Sequence, residues 1–373
     1  MRPSHYQKGY SITNRAIILF SDAATAQQQV AGLPAAARAL REAALAGITD
    51  CAVAVPGGWS PGAVCRAEIA RLAPAMQVEF GAEEQLLPGA DPATLLISGE
   101  RLVLAETLRA GLAGSFAENG LLRAGSADSA AIAQLRNGGG ANALAAASRR
   151  IIAATSKPSD GIVSRHLNRP ISQTITRFLL RFPAIRPLHG SFAAAVIAVV
   201  MVFWLVQGTE HGLVIGAILF QLASIIDGVD GEIARATFRS SPQGAMIDSL
   251  SDALTNLGFI GGVSLNLYMQ TQNLAAAAGA GGLVMLATGL AVIGIGGPKD
   301  EAGLTFNAVK EHFSAERSRV MTWLTWLTMR DFFALAGALL ILAGFAPQAL
   351  IAFAVVTTGW LVVVMVVMIR QAA

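Results

Sequence analysis

Two textures of apolar patterning divide the chain. Up to about residue 112 the apolar runs are short and alternate with helical stretches: residues 16–20, a helical stretch over 33–46, Asp50–Val55 closed by Pro56-Gly57-Gly58, a helix over Ala63–Leu72, and further short runs at 77–80 and 94–97. Strands alternating with helices predict a parallel, Rossmann-like α/β layer. No run there reaches the roughly 18 to 20 apolar residues that a membrane span requires, so this layer is expected to be soluble. Beyond residue 190 the runs lengthen, and hydropathy predicts six spans at about 191–208, 212–236, 244–268, 274–297, 331–346 and 348–369. The expected fold is therefore two-domain: an α/β domain over 16–140 after a polar tail at 1–15, and an all-α polytopic membrane domain over 191–373. Residues 141–190 between them read as a linker. It follows the flexible break Asn137-Gly138-Gly139-Gly140 and opens on an Ala-rich helix. It continues into an amphipathic helix over 164–182, where Leu167, Ile171, Ile175, Phe178 and Leu179 oppose Arg165, Arg169, Arg177 and Arg181. Basic amphipathic helices beside a span lie in the membrane interface.

Composition agrees with a membrane protein: of 373 residues, 54% are apolar and only 14% charged, with a mean hydropathy of +0.54. Cys51 and Cys65 are too few for a disulfide framework and point to a reducing compartment. Met1 to Arg15 is polar, so no cleaved signal peptide is expected. The net charge of +3 is small and its placement matters more; no nucleic-acid partner is expected. Basic residues from Arg165 to Arg186 precede the first span, Arg235 and Arg239 end the second, and Lys299, Lys310, Arg317, Arg319 and Arg330 lie between the fourth and fifth. The opposite loops, around Glu210 and His211, at 270–273 and at 345–348, hold no Lys or Arg. By the positive-inside rule both termini, the α/β domain and the polar ends of the second and third spans face the cytoplasm of a cell (plasma) membrane.

Those polar ends hold the candidate chemistry. Asp227, Asp230, Gly231, Ala234 and Arg235 lie in the second span, and Gly244, Asp248 and Asp252 in the third. At 100° per residue Asp227, Asp230, Gly231 and Ala234 share one helical face, and Gly244, Asp248 and Asp252 stack at i, i+4, i+8 on another. Two helices can thus aim four carboxylates at one spot. Carboxylates that close raise one another's pKa unless a cation holds them ionised. With no His or Cys nearby, an all-oxygen set favours Mg²⁺, then Mn²⁺, and carboxylate-bound hard ions serve phosphates. Gly231 and Ala234 leave a groove for a flat or phosphorylated ligand, and Arg235 can fork onto an anion.

The pattern D-x-x-D-G-x-x-A-R-x8-G-x-x-x-D-x-x-x-D is matched at every fixed position from Asp227 to Asp252, and it resembles the signature of the CDP-alcohol phosphotransferase family. That resemblance implies metal-dependent transfer of a substituted phosphate group from a CDP-linked donor to an acceptor hydroxyl, with release of CMP. It implies that Asp227, Asp230, Asp248 and Asp252 hold two metal ions, that Asp252 is also the general base, and that Asp230, Gly231, Ala234, Arg235 and Gly244 bind the donor. It also implies a homodimer. The stretch 17–48 resembles the opening of sugar-phosphate nucleotidyltransferases, but Ser21 to Gln29 lacks the glycines and the arginine of their phosphate loop, and only Glu100 stands near the position of their metal-binding acid. A degenerate domain, kept for docking, dimer contacts or regulation, is expected. The order of the two domains, and the stretch from Lys157 to Ser172, resemble bifunctional inositol-phosphate cytidylyltransferase/di-inositol-phosphate-phosphate synthase proteins.

The acceptor is not legible. Arg169, Lys299, Lys310, Arg317, Arg319 and Arg330 are candidates for a phosphorylated polyol, and equally for lipid headgroups. CDP-diacylglycerol and a soluble CDP-polyol both remain open as donors. An inactive scaffolding relative and an intramembrane cation transporter are the alternatives. The transporter leaves Gly231, Ala234 and Arg235 unexplained.

Overall fold

The computed structural model describes residues 15–113, 120–158, 160–296 and 330–372. The chain divides into two compact units, one of residues 1–154 with 177–185, the other of residues 155–176 with 186–373.

The first unit is built on strand β1 (Arg15–Leu19), followed by α1 (Ala23–Gln27), the short β2 (Gln29–Val30) and β3 (Leu33–Pro34), and α2 (Ala35–Leu45). Then come β4 (Asp50–Val55), α3 (Ala63–Leu72), β5 (Gln77–Ala82), α4 (Glu83–Leu86), β6 (Leu95–Ser98), α5 (Ala105–Leu112), β7 (Leu121–Arg123), α6 (Ser129–Arg136) and α7 (Ala141–Ala153). The main sheet runs β5-β4-β1-β6-β7. Its first four strands are parallel, with β1 between β4 and β6. β7 runs antiparallel to β6, so the sheet is mixed where the sequence predicted a parallel one; a three-residue strand carries no periodicity to read. Side chains alternate across β1 as a strand requires. Ala16, Ile18 and Phe20 enter one core with Leu40 and Val53, while Ile17 and Leu19 enter a second with Ala52 and Leu135. Burial on both faces is why these strands read as continuous apolar runs. The helix predicted from residue 33 begins two residues later, at Ala35, because residues 33–34 pair with β2. The Ala-rich helix read as the start of the linker is α7, which packs on this unit through Leu144 and accepts the Ala31 amide on Ser148 Oγ. Both cysteines are free and buried.

The second unit holds a π-helical turn (Ser164–Asn168) leading into α8 (Arg169–Leu179), whose residues from 177 on belong to the first unit, then α9 (Pro187–Leu205), α10 (Glu210–Ala236), α11 (Pro242–Met269), α12 (Asn273–Gly296), α13 (Arg330–Leu342) and α14 (Ala346–Ala372). Six helices stand where six spans were predicted, but among the described residues only three are long and apolar enough to cross a membrane: α9, α10 and Ala346–Val366 of α14. Asn273–Gly289 and Asp331–Leu342 are shorter apolar stretches. In α11 the obstacle is polarity, since Asp248, Ser249, Ser251, Asp252 and Asn256 interrupt its first half. Leu188, Phe192, Val196, Val199 and Phe203 of α9 are exposed along one side, the surface a lipid-facing helix presents.

Small residues let these helices approach closely. A Cβ on Gly216 would meet Leu205 at 2.4 Å, and one on Gly262 would meet it at 2.8 Å, so Leu205 of α9 seats between α10 and α11. Phe220 and Phe259 stack at 3.9 Å between centroids, and Asn266 Nδ2 donates to the Leu205 carbonyl at 2.6 Å.

The amphipathic stretch is helical, as the π-helical turn and α8. Its helix turns the hydroxyl residues Ser172 and Thr176 inward, fully buried, while Leu167 and Ile171 are exposed. The cause lies on α10, where Glu232 is wholly buried and accepts from both hydroxyls, Ser172 at 2.6 Å and Thr176 at 2.7 Å. A buried carboxylate without donors costs far more than an exposed leucine.

Candidate active site

Two capped helices and the turn between them shape the site. Thr209 caps α10, its Oγ accepting from the Gly212 amide at 3.0 Å. At the other end the Arg239 amide returns to the Ala234 carbonyl at 2.8 Å, and Phe238 takes a left-handed φ of 54°, uncommon for a bulky residue. The chain reverses there, and Ser241 caps α11 through the Gly244 amide at 3.0 Å with Pro242 in the first turn. The last turns of α10 and the first turns of α11 are thereby brought side by side.

Across that junction Asp227, Asp248 and Asp252 converge. One carboxylate oxygen from each lies within 4.8 Å of the others, and all three side chains are half-buried. Asp248 and Asp252 come from successive turns of α11, Asp227 from α10. The donor set is oxygen only, hard and triply negative when ionised, which fits Mg²⁺ or Mn²⁺ and fits soft or nitrogen-seeking metals poorly.

The remaining predicted residues are distributed around it. Asp230 is buried and turned toward α9, where it accepts a hydrogen bond from Ser191 Oγ; it is not one of the three clustered acids. Gly231 lies under the guanidinium of Arg235, since a Cβ there would meet Arg235 Nη1 at 2.9 Å. Arg235 Nε donates to the Thr155 carbonyl at 2.7 Å. Ala234 is half-buried on the turn after Asp230, and Gly244 is exposed one turn before Asp248. Of the basic candidates for the acceptor, Arg169 is committed elsewhere: it grips Asp160 with two hydrogen bonds of 2.9 Å and reaches Glu232 at 3.0 Å. Arg330 begins α13, and Lys299, Lys310, Arg317 and Arg319 lie outside the described residues.

Sequence reasoning missed the acid beside the motif. Glu232 occupies a variable place in the pattern, yet it is the most deeply buried acid of α10 and holds Arg169, Ser172 and Thr176. A fifth carboxylate in an apolar span was the available signal; its partner, 63 positions away, was not. Burial works against the charge of Asp160, but the hydrogen bonds and positive charge of Arg169, with the Lys157 amide, outweigh it and hold its carboxyl below the usual range.

In the first unit, ligands of an open α/β sheet would bind outside the carboxyl ends of β1 and β6, where strand order reverses. Glu100 fills that place. It is 2% exposed, and its carboxylate accepts the Ser21 amide at 2.7 Å and also the Gly140 amide. The Phe20 ring lies where a Cβ on Gly99 would be, at 2.4 Å. The carboxylate that sequence likeness aligned with a metal-binding acid is thus hydrogen-bonded to the domain's own backbone.

Residues 191–365 match the CDP-alcohol phosphatidyltransferase family. The chain is also similar to curated proteins named "Bifunctional IPC transferase and DIPP synthase". It is 34% identical to that of Thermococcus kodakarensis over 114 residues, 30% of this chain and 25% of the relative. The protein of Rubrobacter xylanophilus is 36% identical over 129 residues, 35% and 28% of the two chains, and that of Archaeoglobus fulgidus 32% over 136 residues, 35% and 25%. The chain thus spans about a quarter of the length of the curated relatives it matches. With the carboxylates of α10 and α11 converging inside the matched region, the C-terminal half of the chain is a CDP-alcohol phosphatidyltransferase domain.

Proposed function

We propose that this protein transfers a substituted phosphate group from a CDP-linked donor, CDP-diacylglycerol or a CDP-polyol, to the hydroxyl of an alcohol or polyol phosphate, releasing CMP. The convergence of Asp227, Asp248 and Asp252 within 4.8 Å carries this reading. In it, Asp227, Asp248 and Asp252, with Asp230 on the neighbouring turn of α10, would hold the divalent ions. When bound, the ions would neutralise the donor pyrophosphate and stabilise the departing CMP. Asp252 takes the proton of the acceptor hydroxyl as its oxygen bonds to phosphorus and the phosphorus–oxygen bond to CMP breaks. Arg235 faces the donor's phosphates, and Gly231, Ala234 and Gly244 give clearance for the cytidine. Six helices cross the membrane with the aspartates and the first unit on the cytoplasmic side, two copies pair through their membrane helices, and the first unit serves docking or regulation. The hydrogen bonds that occupy Glu100 support that last assignment.

The test is CMP release by the purified protein with Mg²⁺ and CDP-diacylglycerol or CDP-inositol, across glycerol phosphate, inositol phosphate, inositol and serine, with Asp252→Asn as control. CMP formed with one acceptor and lost in the variant is the expected result. Absence of CMP with both donors would sink the reading in favour of a scaffolding role, and undiminished turnover by Asp252→Asn would remove the assigned base.

A further inference from the structure

Arg235, the cation assigned to the donor's phosphates, is oriented by a backbone carbonyl outside its own helix. Its Nε donates to the Thr155 carbonyl at 2.7 Å, which directs the two terminal nitrogens toward Gly231. A carbonyl can aim an arginine only if its own segment is held, and residues 155–176 show how this is done. Two residues after Thr155, the Lys157 amide donates to Asp160 Oδ2 at 2.8 Å, and the Asp160 amide returns to the Lys157 carbonyl at 3.0 Å. The same Asp160 carboxylate receives both bonds of the Arg169 fork. Arg169 then reaches across to α10, to Glu232 at 3.0 Å and to the Gly228 carbonyl at 3.4 Å, over a glycine whose missing Cβ leaves the space. The path is continuous: Thr155 carbonyl, turn, Asp160, Arg169, Glu232, and back to α10 one turn from Arg235.

We propose that Arg169 is a positioning residue for donor binding, acting through Asp160 and the Thr155 carbonyl on Arg235 rather than by touching either substrate. Its side chain is 11% exposed and engaged by two carboxylates, which leaves it poorly placed to receive a phosphorylated acceptor. Glu232, one place beyond the glycine beneath Arg235, is the anchor that fixes this segment to the site's own helix. The fork matters as much as the charge: a lysine keeps the ion pair but cannot make two parallel bonds to Asp160 while reaching Glu232.

The proposal rests on Arg235 being the donor's anion-binding group. Its test is a double-substitution cycle on the full-length protein in detergent or nanodiscs, with Mg²⁺. Arg169→Lys, Asp160→Asn, Arg235→Lys and the pair Arg169→Lys/Arg235→Lys are compared by equilibrium binding of CMP and by separate KM values for donor and acceptor. Arg169→Lys and Asp160→Asn should each weaken CMP binding and raise the donor KM by about tenfold, the effect of losing one well-aligned charged hydrogen bond, with the acceptor KM and kcat little changed. On an Arg235→Lys background the Arg169 substitution should add almost nothing, because coupled residues are not additive. A shift in the acceptor KM instead, fully additive losses, or a lower melting temperature with CMP binding intact would each overturn it. If the wild type itself releases no CMP, the proposed function fails first; if the wild type is active and Arg169→Lys binds CMP normally, this inference alone fails.

Discussion

Gly190 of α9 lies against Asp230 of α10 so closely that a Cβ on the glycine would sit 2.9 Å from both the Cβ and the amide nitrogen of Asp230. The next residue, Ser191, donates to the Asp230 carboxylate. One helix contact therefore sets both the spacing of α9 from the motif helix and the direction of one of its acids. Gly190→Ala should force the helices apart, destabilising the fold by about 1–3 kcal/mol as overpacking does, and should lower CMP release beyond what the stability loss explains. Thermal unfolding in detergent beside turnover below the transition checks this; a variant with wild-type melting and activity would show that the contact is soft.

Glu100 stabilises the first unit from within. Glu100→Ala removes the acceptor of the Ser21 and Gly140 amides in a buried place, a loss of about 1–3 kcal/mol for an unsatisfied group. Faster hydrogen exchange at those two amides, with CMP release unchanged, is the expected outcome. Loss of turnover at unchanged stability would mean that this crevice takes part in the reaction.

Removal of divalent ions should abolish turnover, and Mg²⁺ or Mn²⁺ should restore it while Ca²⁺, with its longer bonds and higher coordination number, should restore less. Asp248→Asn should weaken ion binding, read as the Mg²⁺ concentration for half-maximal rate or by Mn²⁺ resonance. Asp252→Asn should also cost a factor of about 10² to 10⁴ in kcat, the usual worth of a general base. An enzyme fully active in chelator would refute the metal assignment.

The Asp160–Arg169–Glu232 network gives the second unit a dependence on acid. The folded-state pKa of Asp160 is depressed by Arg169, so its contribution to stability is fully present above the unfolded carboxylate value of about 3.9 and is lost as pH falls through the folded value. Asp160→Asn should flatten the acid limb of the stability profile and leave neutral pH and above with a uniform loss. Glu232→Ala breaks the fully buried end and should cost about 3–5 kcal/mol, the penalty for stranding a buried charge. Chemical denaturation as a function of pH measures both, and an Asp160→Asn profile parallel to wild type would contradict the assignment.

The fold was largely legible because its signals are local. The buried β1, β4 and β6 carry apolar runs of strand length. β7 was not legible, since its place on the edge of the sheet depends on pairing with β6 and not on its own three residues. The amphipathic helix was legible as a helix, but what its hydroxyl-bearing side meets was not, because that partner lies on another helix. Here Glu232 draws Ser172 and Thr176 inward.

What the sequence determined by itself is the reaction's raw material. Carboxylates at i and i+4 on one helix must share a face, so Asp248 and Asp252 were bound to stand together, and the spacing from Asp227 to Asp252 carries the family's signature. Only the tertiary structure decided which acids meet. Asp227 and Asp230 differ by about 60° around α10, and a helical wheel has no means of separating them. The close approach of Gly190 and the hydroxyl of Ser191 turn Asp230 toward α9, and the turn through Phe238 brings Asp227 to Asp248 and Asp252. Helical period is a property of neighbours along the chain, whereas the partner of a buried charge is chosen by whatever the fold packs against it.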